Sequence, residues 1–272
     1  MHPIIVPDVP PPAYRAPHRF CVPGRAEEAR GGHCAVVAVL AASSAVARVF
    51  AHRGGSDHGG RENSPPAFAR ALRAGVDLES DIRLSRDGDP VLIHDVFTVI
   101  GTVPVVPAVL SADALGTVGV LRMADLYRVF GTDFDLSVDV KVAGAALPAI
   151  EVARAAGAVE RLWLVHEDLN LLRAVRAREP AVRLVHEATA TTREAPGFDH
   201  EKYLDSLAAD RIDAQNSPPE AWTAHGVAAA HARGVAAFGS LLNDPVRLAR
   251  AVELGLDAVY TDDIGMATEI LR

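Results

Sequence analysis

Short runs of apolar and β-branched residues recur along this chain, and each run ends in polar or charged residues. Between them lie alanine-rich stretches whose apolar residues are three and four positions apart, which is the spacing of amphipathic helices. Eight runs are predicted to be strands. They are RVFAHR (48–53), DLESDIRL (77–84), DLSVDVK (135–141), RLWLVHE (161–167), VRLVHEA (182–188), RIDAQN (211–216), VAAFGSLL (235–242) and AVYTDD (258–263).

The predicted helices carry proline near their start and glycine just after their end, the usual asymmetry of helix termini. This pattern predicts helices over 64–75, 147–157 and 243–255, and a longer one over 218–234. A ninth apolar run, PVLIHD (90–95), follows the second strand across a tight turn and predicts a hairpin-like extension.

Strands that alternate with helices predict parallel pairing and right-handed crossovers. Eight such repeats favour an α/β fold of the (β/α)8 TIM-barrel type over a doubly wound sheet. No glycine-rich dinucleotide fingerprint follows any predicted strand, which also argues against a dinucleotide-binding fold. We therefore predict one barrel domain over residues 48–272.

Residues 1–47 do not follow this pattern. The first thirty are rich in proline and arginine without periodicity, which predicts an irregular arm. CAVVAVLAASSAVA (34–47) predicts a small-residue helix packed on the domain and is too short to span a bilayer. Its length and its Ala-Val-Ala ending also resemble a signal-peptide core with a cleavage site, but it starts some thirty residues into the chain, after a mixture of glutamates and arginines. We therefore expect a cytoplasmic protein and keep export as the alternative.

Composition narrows the possible functions. The chain has 272 residues, of which 49% are hydrophobic, and a formal net charge of −8 at pH 7. It lacks the basic surplus of a nucleic-acid-binding protein, and RAVRARE (173–179) is predicted to be an ordinary solvent-facing helix surface. Two cysteines imply neither a disulfide framework nor a cysteine-based metal site.

Ionisable residues are concentrated where the predicted strands end, which is where TIM barrels carry their chemistry. Glu79 and Asp81 are two positions apart on one strand, so their side chains share a face, and the same holds for Asp139 and Lys141. Three carboxylates placed together repel one another unless a cation lies among them. Oxygen ligands suit a hard ion, so the sequence predicts one divalent cation, Mg²⁺ or Ca²⁺.

Two histidines also follow strands, His52 after the first and His94 after the extension. Their side chains titrate near neutrality and suit proton donation and acceptance on either side of a reacting group. Arg53 and Lys141 provide positive charge for an anionic substrate. This combination predicts the cleavage of a phosphoryl ester.

Four other polar residues near strand ends have less specific interpretations. His166 and His186, each followed by a glutamate, fit a pocket wall and a structural hydrogen-bonded pair equally well. Arg83 shares a strand face with the two carboxylates and fits either an ion pair with them or a contact to substrate. Asp262 is predicted to cap the loop after the last strand.

Four segments resemble the glycerophosphodiester phosphodiesterase family: AHRGG with EN (51–63), LESDIRLSRDGDPVLIHD (78–95), SVDVK (137–141) and LGLDAVYTDD (254–263). They occur in the family's order and span most of the chain. The resemblance implies a TIM barrel that uses one divalent cation to cleave a small phosphodiester into a phosphomonoester and an alcohol, usually from glycerophosphodiesters. The roles it implies are metal ligation for Glu79, Asp81 and Asp139, acid–base catalysis for His52 and His94, phosphate binding for Arg53 and Lys141, and support from Glu62.

The chain departs from the family pattern in the insertion after the second strand. The family usually continues there with a polar stretch and a small subdomain, whereas VFTVIGTVPVVPAVLSADAL (96–115) is apolar and short. The leaving group could therefore be a lipid-like or otherwise bulky alcohol instead of glycerol or another small polar alcohol. Two alternatives to hydrolysis also stay open: a phospholipase D-like lyase that converts a lysophospholipid to a cyclic phosphate, and a non-catalytic phosphate-binding barrel. The sequence does not predict the oligomeric state.

Overall fold

The structure is a computed structural model that describes residues 48–55 and 60–271. The predicted N-terminal arm and helix, residues 1–47, lie outside the described residues. The strands of the described part are β1 (Arg48–Ala51), β2 (Asp77–Leu84), β3 (Pro90–Leu92), β4 (Thr98–Ile100), β5 (Val103–Val105), β6 (Leu121–Arg122), β7 (Leu136–Val140), β8 (Leu162–His166), β9 (Arg183–Glu187), β10 (Ala214–Ser217), β11 (Ala236–Gly239) and β12 (Ala258–Thr261).

The α-helices of the same ranges lie mostly between barrel strands, as an α/β barrel requires. They are α1 (Pro65–Arg73), α2 (Ala112–Thr117), α3 (Met123–Phe130), α4 (Ala146–Ala155), α5 (Leu169–Arg178), α6 (Ala190–Arg193), α7 (His200–Ala209), α8 (Ala224–Ala232), α9 (Pro245–Leu254) and α10 (Ile264–Ile270). None of these described helices combines the length and the apolar character needed to cross a bilayer.

Eight parallel strands close into a barrel in the order β1, β2, β7, β8, β9, β10, β11 and β12. Closure is completed by β1, which pairs with β12 on one side and with β2 on the other. This confirms the predicted TIM barrel, and each of the eight predicted runs overlaps one barrel strand. The first strand is shorter than predicted, because the chain turns into a 3-10 helix at His52.

Side chains alternate between the barrel interior and the helical layer, as the two-residue period of a strand requires. Leu78 and Val138 pack outward against the helices, so Glu79, Asp81 and Asp139 face inward. The inward-facing apolar residues form their own cluster in the barrel interior. They are Phe50, Trp163, Val165, Val185, Ala214, Ala236, Phe238, Ala258 and Tyr260.

The insertion between β2 and β7 forms a small layer beside the barrel. β3 pairs antiparallel with β2, which is the predicted hairpin-like extension, and β6 pairs antiparallel with β3. β4 and β5 form a separate two-stranded hairpin. Val91, Ile93, Val105, Leu115 and Val120 contribute to a second apolar cluster that stabilises this layer.

The predicted long helix over 218–234 is wrong. Pro219–Ala221 is a single 3-10 turn, and α8 begins only after Thr223, whose hydroxyl accepts a hydrogen bond from the Gly226 amide. Trp222 between them is fully buried and donates its indole N–H to the Phe238 carbonyl at 3.0 Å. This tertiary contact requires the extended backbone that ends the first turn.

The prediction that residues 173–179 form an ordinary solvent-facing helix surface is wrong at Arg176, which is only 6% exposed. Its guanidinium donates to the carbonyls of Pro180 and Val182 at 2.7 and 2.8 Å, and to Asp213 Oδ2 at 2.5 Å. A buried arginine paired in this way stabilises the junction between α5 and β9 rather than interacting with solvent.

Candidate active site

The chain turns sharply where β1 ends. Arg53, Gly54 and Gly55 have φ values of 52°, 84° and 75°, so three consecutive residues have positive φ. A side chain at Gly54 is excluded for a second reason, because a Cβ there would lie 2.8 Å from the Cβ of Ala67. The turn places the Arg53 backbone amide 2.7 Å from Glu79 Oε2, to which it donates a hydrogen bond.

His52 is paired with a carboxylate from the opposite end of the sequence. Its Nδ1 lies 2.8 Å from Asp262 Oδ1, while Asp262 Oδ2 accepts a hydrogen bond from the Asn243 side-chain amide at 2.6 Å. Burial lowers the pKa of His52, but the hydrogen bond to Asp262 and the charge of Glu79 outweigh it, so the net shift is upward. The Asp262 contact fixes the orientation of the ring and leaves Nε2 for chemistry.

Sequence reasoning assigned Asp262 only to the loop after the last strand and missed this pairing. Asp262 does hold that loop, because its own amide donates to Asn243 Oδ1 at 2.8 Å. The one available signal was the Thr-Asp that closes the last motif, at the C-terminal end of a barrel strand.

The acidic residues of β2 are buried inside the barrel, with Glu79 4% and Asp81 1% exposed, whereas Asp139 on the neighbouring strand is partly exposed. Asp81 and Asp139 are register partners of adjacent parallel strands. Burial raises the pKa of Glu79 to about 8, and the negative charges of Asp81 and Asp139 add to the rise, against the effect of His52. The three predicted ligands therefore lie in one strongly acidic region.

Two cations flank Asp81. Lys141 Nζ lies 3.2 Å from Asp81 Oδ1 and 2.6 Å from Asp139 Oδ2. On the other side Arg53 Nε lies 3.3 Å from Asp81 Oδ2, and another guanidinium nitrogen of Arg53 donates to Glu62 Oε2 at 3.0 Å. The structure thus brings together the predicted phosphate-binding residues, two of the predicted ligands and the predicted supporting residue.

Asn63, the second residue of the EN motif, had no role in the sequence-based prediction. Its side-chain amide donates to Asp81 Oδ2 at 3.2 Å, and its carbonyl oxygen accepts from the Ser80 hydroxyl at 2.6 Å. It therefore orients the most deeply buried of the three acids from the first loop.

His94 is attached to the same strand end through its backbone. The Ile93 amide donates to the Asp81 carbonyl at 3.0 Å, and Arg83 Nε donates to the His94 carbonyl at 2.7 Å. The His94 ring is partly exposed, and its Nδ1 lies 2.7 Å from Asp95 Oδ1. Arg83 thus holds the loop that carries His94, a role that neither of its two predicted interpretations included.

The histidine–glutamate pair at the end of β9 divides between the two faces of the sheet. His186 is buried toward α7, with Nδ1 2.5 Å from the Tyr203 hydroxyl and Nε2 2.9 Å from the Glu167 carbonyl, so it is a structural residue. Glu187 faces the barrel interior, where burial raises its pKa and the charge of Asp139 adds to the rise. Sequence reasoning did not select Glu187 as a site residue.

The predicted metal ligands have the oxygen atoms that a hard cation binds, but their side chains are not arranged around a common point. Glu79, Asp81 and Asp139 offer carboxylate oxygens, and the pKa of Glu79 is raised first by burial and then by the negative charges of Asp81 and Asp139. Among the described residues, however, no group of three or more His, Cys, Asp or Glu side chains is arranged to hold a metal ion. Lys141 bridges Asp81 and Asp139 instead.

Comparisons with known proteins give the class and the family. The sequence matches the Glycerophosphoryl diester phosphodiesterase family over residues 52–266. The fold resembles many solved structures, among them the following three. A protein from Silicibacter pomeroyi assigned to the glycerophosphoryl diester phosphodiesterases has a TM-score of 0.73 at 21% identity, over 84% of this chain and 93% of that one.

A glycerophosphodiester phosphodiesterase from Thermotoga maritima has a TM-score of 0.70 at 21% identity, over 82% of this chain and 97% of that one. A phosphodiesterase from Oleispira antarctica, solved with its product sn-glycerol-3-phosphate, has a TM-score of 0.68 at 18% identity, over 83% and 95% of the two chains. No curated protein matches the chain.

The barrel and the family match together define a phosphoric diester hydrolase with a TIM-barrel fold. The chain belongs to the glycerophosphodiester phosphodiesterase family, as its motifs suggested.

Proposed function

We propose that the protein hydrolyses a glycerophosphodiester-like substrate to a phosphomonoester and an alcohol, with His52 and His94 as the acid–base pair. The observation that carries this proposal is that each imidazole has its Nδ1 next to a carboxylate, that of Asp262 or Asp95. Both histidines flank the strand end that carries Asp81, with the Arg53 and Lys141 cations beside it. A carboxylate on Nδ1 fixes the orientation of a ring and leaves Nε2 to exchange a proton with substrate or water.

The two cations would hold the phosphate group. Burial lowers the pKa of Lys141, but the charges and hydrogen bonds of Asp139 and Asp81 raise it by more, so the net shift is upward. Lys141 is therefore positively charged at neutral pH. Arg53 is kept in place by Glu62 and by its own backbone bond to Glu79. Two positive groups beside each other can bind phosphate oxygens and neutralise the charge that grows in the transition state.

The upward shift of the His52 pKa increases the share of protonated ring at any given pH, which suits donation of a proton to the departing alcohol oxygen. His94, on the other side of Asp81, would then accept a proton from the attacking water. In this reaction the P–O bond to the alcohol breaks and a P–O bond to the water oxygen forms. One proton passes from His52 to the alcohol oxygen, and one passes from the water to His94.

We further propose one divalent cation, Mg²⁺ or Ca²⁺, on Glu79 and Asp81 with Asp139 as the third ligand. When bound, it would add positive charge at the phosphate. The burial of Glu79 and Asp81 and the mutual repulsion of the acids support this, together with the family's usual dependence on a divalent cation.

The test is turnover of glycerophosphodiesters by the full chain and by His52→Ala and His94→Ala. Each substitution should lower kcat by about 10²- to 10⁴-fold without changing the melting temperature, because both side chains are partly exposed. His225→Ala is the matched control, since His225 is a surface histidine of α8 that pairs with Glu201, also on the surface, and it should retain full activity. A near-normal rate in either of the first two variants would refute the acid–base assignment.

Two further readouts separate the remaining alternatives. EDTA should abolish turnover, and added Mg²⁺ or Ca²⁺ should restore it. Phosphorus NMR should show a phosphomonoester as the first product. A cyclic phosphate would instead identify a lyase, and phosphate binding without turnover of any phosphodiester would identify a non-catalytic barrel.

A further inference from the structure

Exposed apolar side chains are concentrated beside the candidate active site. Seven large apolar residues are exposed in the part of the chain that the structure describes, and five lie within residues 96–109, which we call the apolar rim. These five are Val96, Phe97, Val99, Val103 and Val109. Residues 96–110 contain no charged side chain at all. Single exposed apolar residues are ordinary, but a group of this kind marks a contact site.

The exposure of the rim is imposed by a folded hairpin. Thr98 pairs with Val105 across the strands, and Val105 is fully buried in the apolar cluster of the insertion. Because strand side chains alternate, this anchors the face with Thr98 and turns the face with Val99 and Pro104 outward. An ordered, outward-facing apolar surface is thus built into the insertion.

A cavity of about 310 Å³ lies against the rim and reaches the partners of two candidate site residues. Its lining includes Glu62, the partner of Arg53, and Asp95, the partner of His94. The same lining includes Val99 and Ile100 of the hairpin. The volume lies at the lower end of the range for small-molecule sites.

We propose that this cavity and the apolar rim form a subsite for a hydrocarbon chain of the substrate, so that the substrate is a single-chain amphiphilic phosphodiester. The inference rests on the proposed function, because it takes the phosphate to be held by Arg53 and Lys141. The group attached to that phosphate then extends past Glu62 or Asp95 toward the apolar part of the lining, which consists of Leu92, Ile93, Val99, Ile100 and Val120. Arg61, Asn63 and Thr98 line the rest of the cavity. The apolar part leaves the hydroxyls of a sugar or polyol unpaired and favours methylene groups.

The charge of the protein favours a hydrocarbon chain bound from solution over an anionic membrane surface. Attraction to an anionic lipid surface needs a cluster of lysine and arginine, whereas the rim has none and the protein carries a net charge of −8. The occupant is therefore one chain of a dissolved substrate molecule.

The test measures binding separately from turnover. The full-length His94→Ala variant, which should not consume the ligand, is titrated calorimetrically with alkylphosphocholines of four, six, eight and ten carbons below their critical micelle concentrations. These molecules are phosphodiesters that differ only in chain length. The dissociation constant should fall roughly two- to fourfold per added methylene, as expected for partial to full burial of each group.

Substitutions on the rim should remove this dependence. In the same background, Phe97→Ser with Val99→Ser should make the dissociation constant nearly independent of chain length. Both side chains are more than half exposed, so the fold should tolerate the change. Val246→Ser is the matched control, because Val246 is 78% exposed on α9, away from the rim, and it should keep the full chain-length dependence.

The outcomes distinguish this inference from the proposed function. Equal affinity for all chain lengths, with normal turnover of polar glycerophosphodiesters, refutes the subsite alone. Length-dependent binding without turnover of any phosphodiester supports the subsite and refutes the hydrolysis. Length dependence that arises only on micelles or vesicles identifies a surface-binding face and overturns the subsite. A change of oligomeric state in the rim variant, seen by light scattering, identifies a contact between copies of the chain and also overturns it.

Discussion

Asp262, which follows the last barrel strand, contacts the ring of His52. Its carboxylate oxygen lies 2.8 Å from Nδ1 and raises the pKa of His52. Asp262→Asn should therefore lower that pKa, which NMR titration of the ring measures directly. The activity limb that depends on His52 should move to lower pH, and kcat should fall by roughly 10- to 100-fold, less than the loss from removing His52 itself.

The neighbouring Asp263→Asn serves as control for this experiment. Asp263 caps α10 by accepting the Met266 amide at 2.8 Å, and asparagine caps helices equally well. This variant should keep both the wild-type pKa of His52 and the wild-type pH profile. If Asp262→Asn behaved like Asp263→Asn, Asp262 would only hold the loop.

At the scale of elements, the turn after β1 positions both His52 and the Arg53 amide. Gly54→Ala would combine a left-handed φ with a clash against Ala67. We expect the free energy of unfolding to fall by at least about 2 kcal/mol, and kcat to fall because the turn must shift. Urea denaturation and initial rates measure the two effects.

Gly75→Ala separates backbone strain from the clash. Gly75 has a similar φ of 76°, but a Cβ there meets nothing within 4 Å. It should lose only about 1 kcal/mol, the cost of the left-handed conformation, and keep normal rates. Equal effects of the two substitutions would show that packing against α1 does not hold the turn after β1.

The sequence predicted the elements well where one face of each is apolar. The eight barrel strands have a dense apolar pattern, and Glu79 and Asp81 were placed together because alternation on β2 is unambiguous. At the end of β9 two polar residues are adjacent, so alternation alone could not tell which of His186 and Glu187 faces inward. Long-range contacts were out of reach, since His52 and Asp262 are 210 positions apart.

At the scale of the whole molecule, a second charged cluster lies at the opposite end of the barrel. Arg48 lies 3.1 Å from Asp77 and 2.6 Å from Asp135, and Trp163 donates its indole N–H to Asp135 at 2.8 Å. These residues lie near the N-terminal ends of their strands, the face of a TIM barrel that serves stability. Changes there should alter unfolding and leave the chemistry intact.

Asp77 makes this expectation quantitative. Burial raises its pKa to about 6, and the charge of Asp135 adds to the rise. Because this folded-state pKa lies above the unfolded value of 3.8, Asp77 favours the folded state most at low pH. That contribution is lost as the pH rises from about 4 to 6, and it amounts to about 3 kcal/mol for a shift of this size.

Asp77→Asn removes the titration but keeps an oxygen that can accept the Asp135 amide, now bonded at 2.9 Å. Measured by urea denaturation between pH 4 and 7, the variant should gain about 3 kcal/mol relative to the wild type as the pH rises. Asp113→Asn, at a position whose side chain is 88% exposed, is the control and should stay within about 0.5 kcal/mol of the wild type throughout. A difference between Asp77→Asn and the wild type that stays constant with pH would mean that Asp77 is already ionised across this range, and that Arg48 compensates both acids at this end of the barrel.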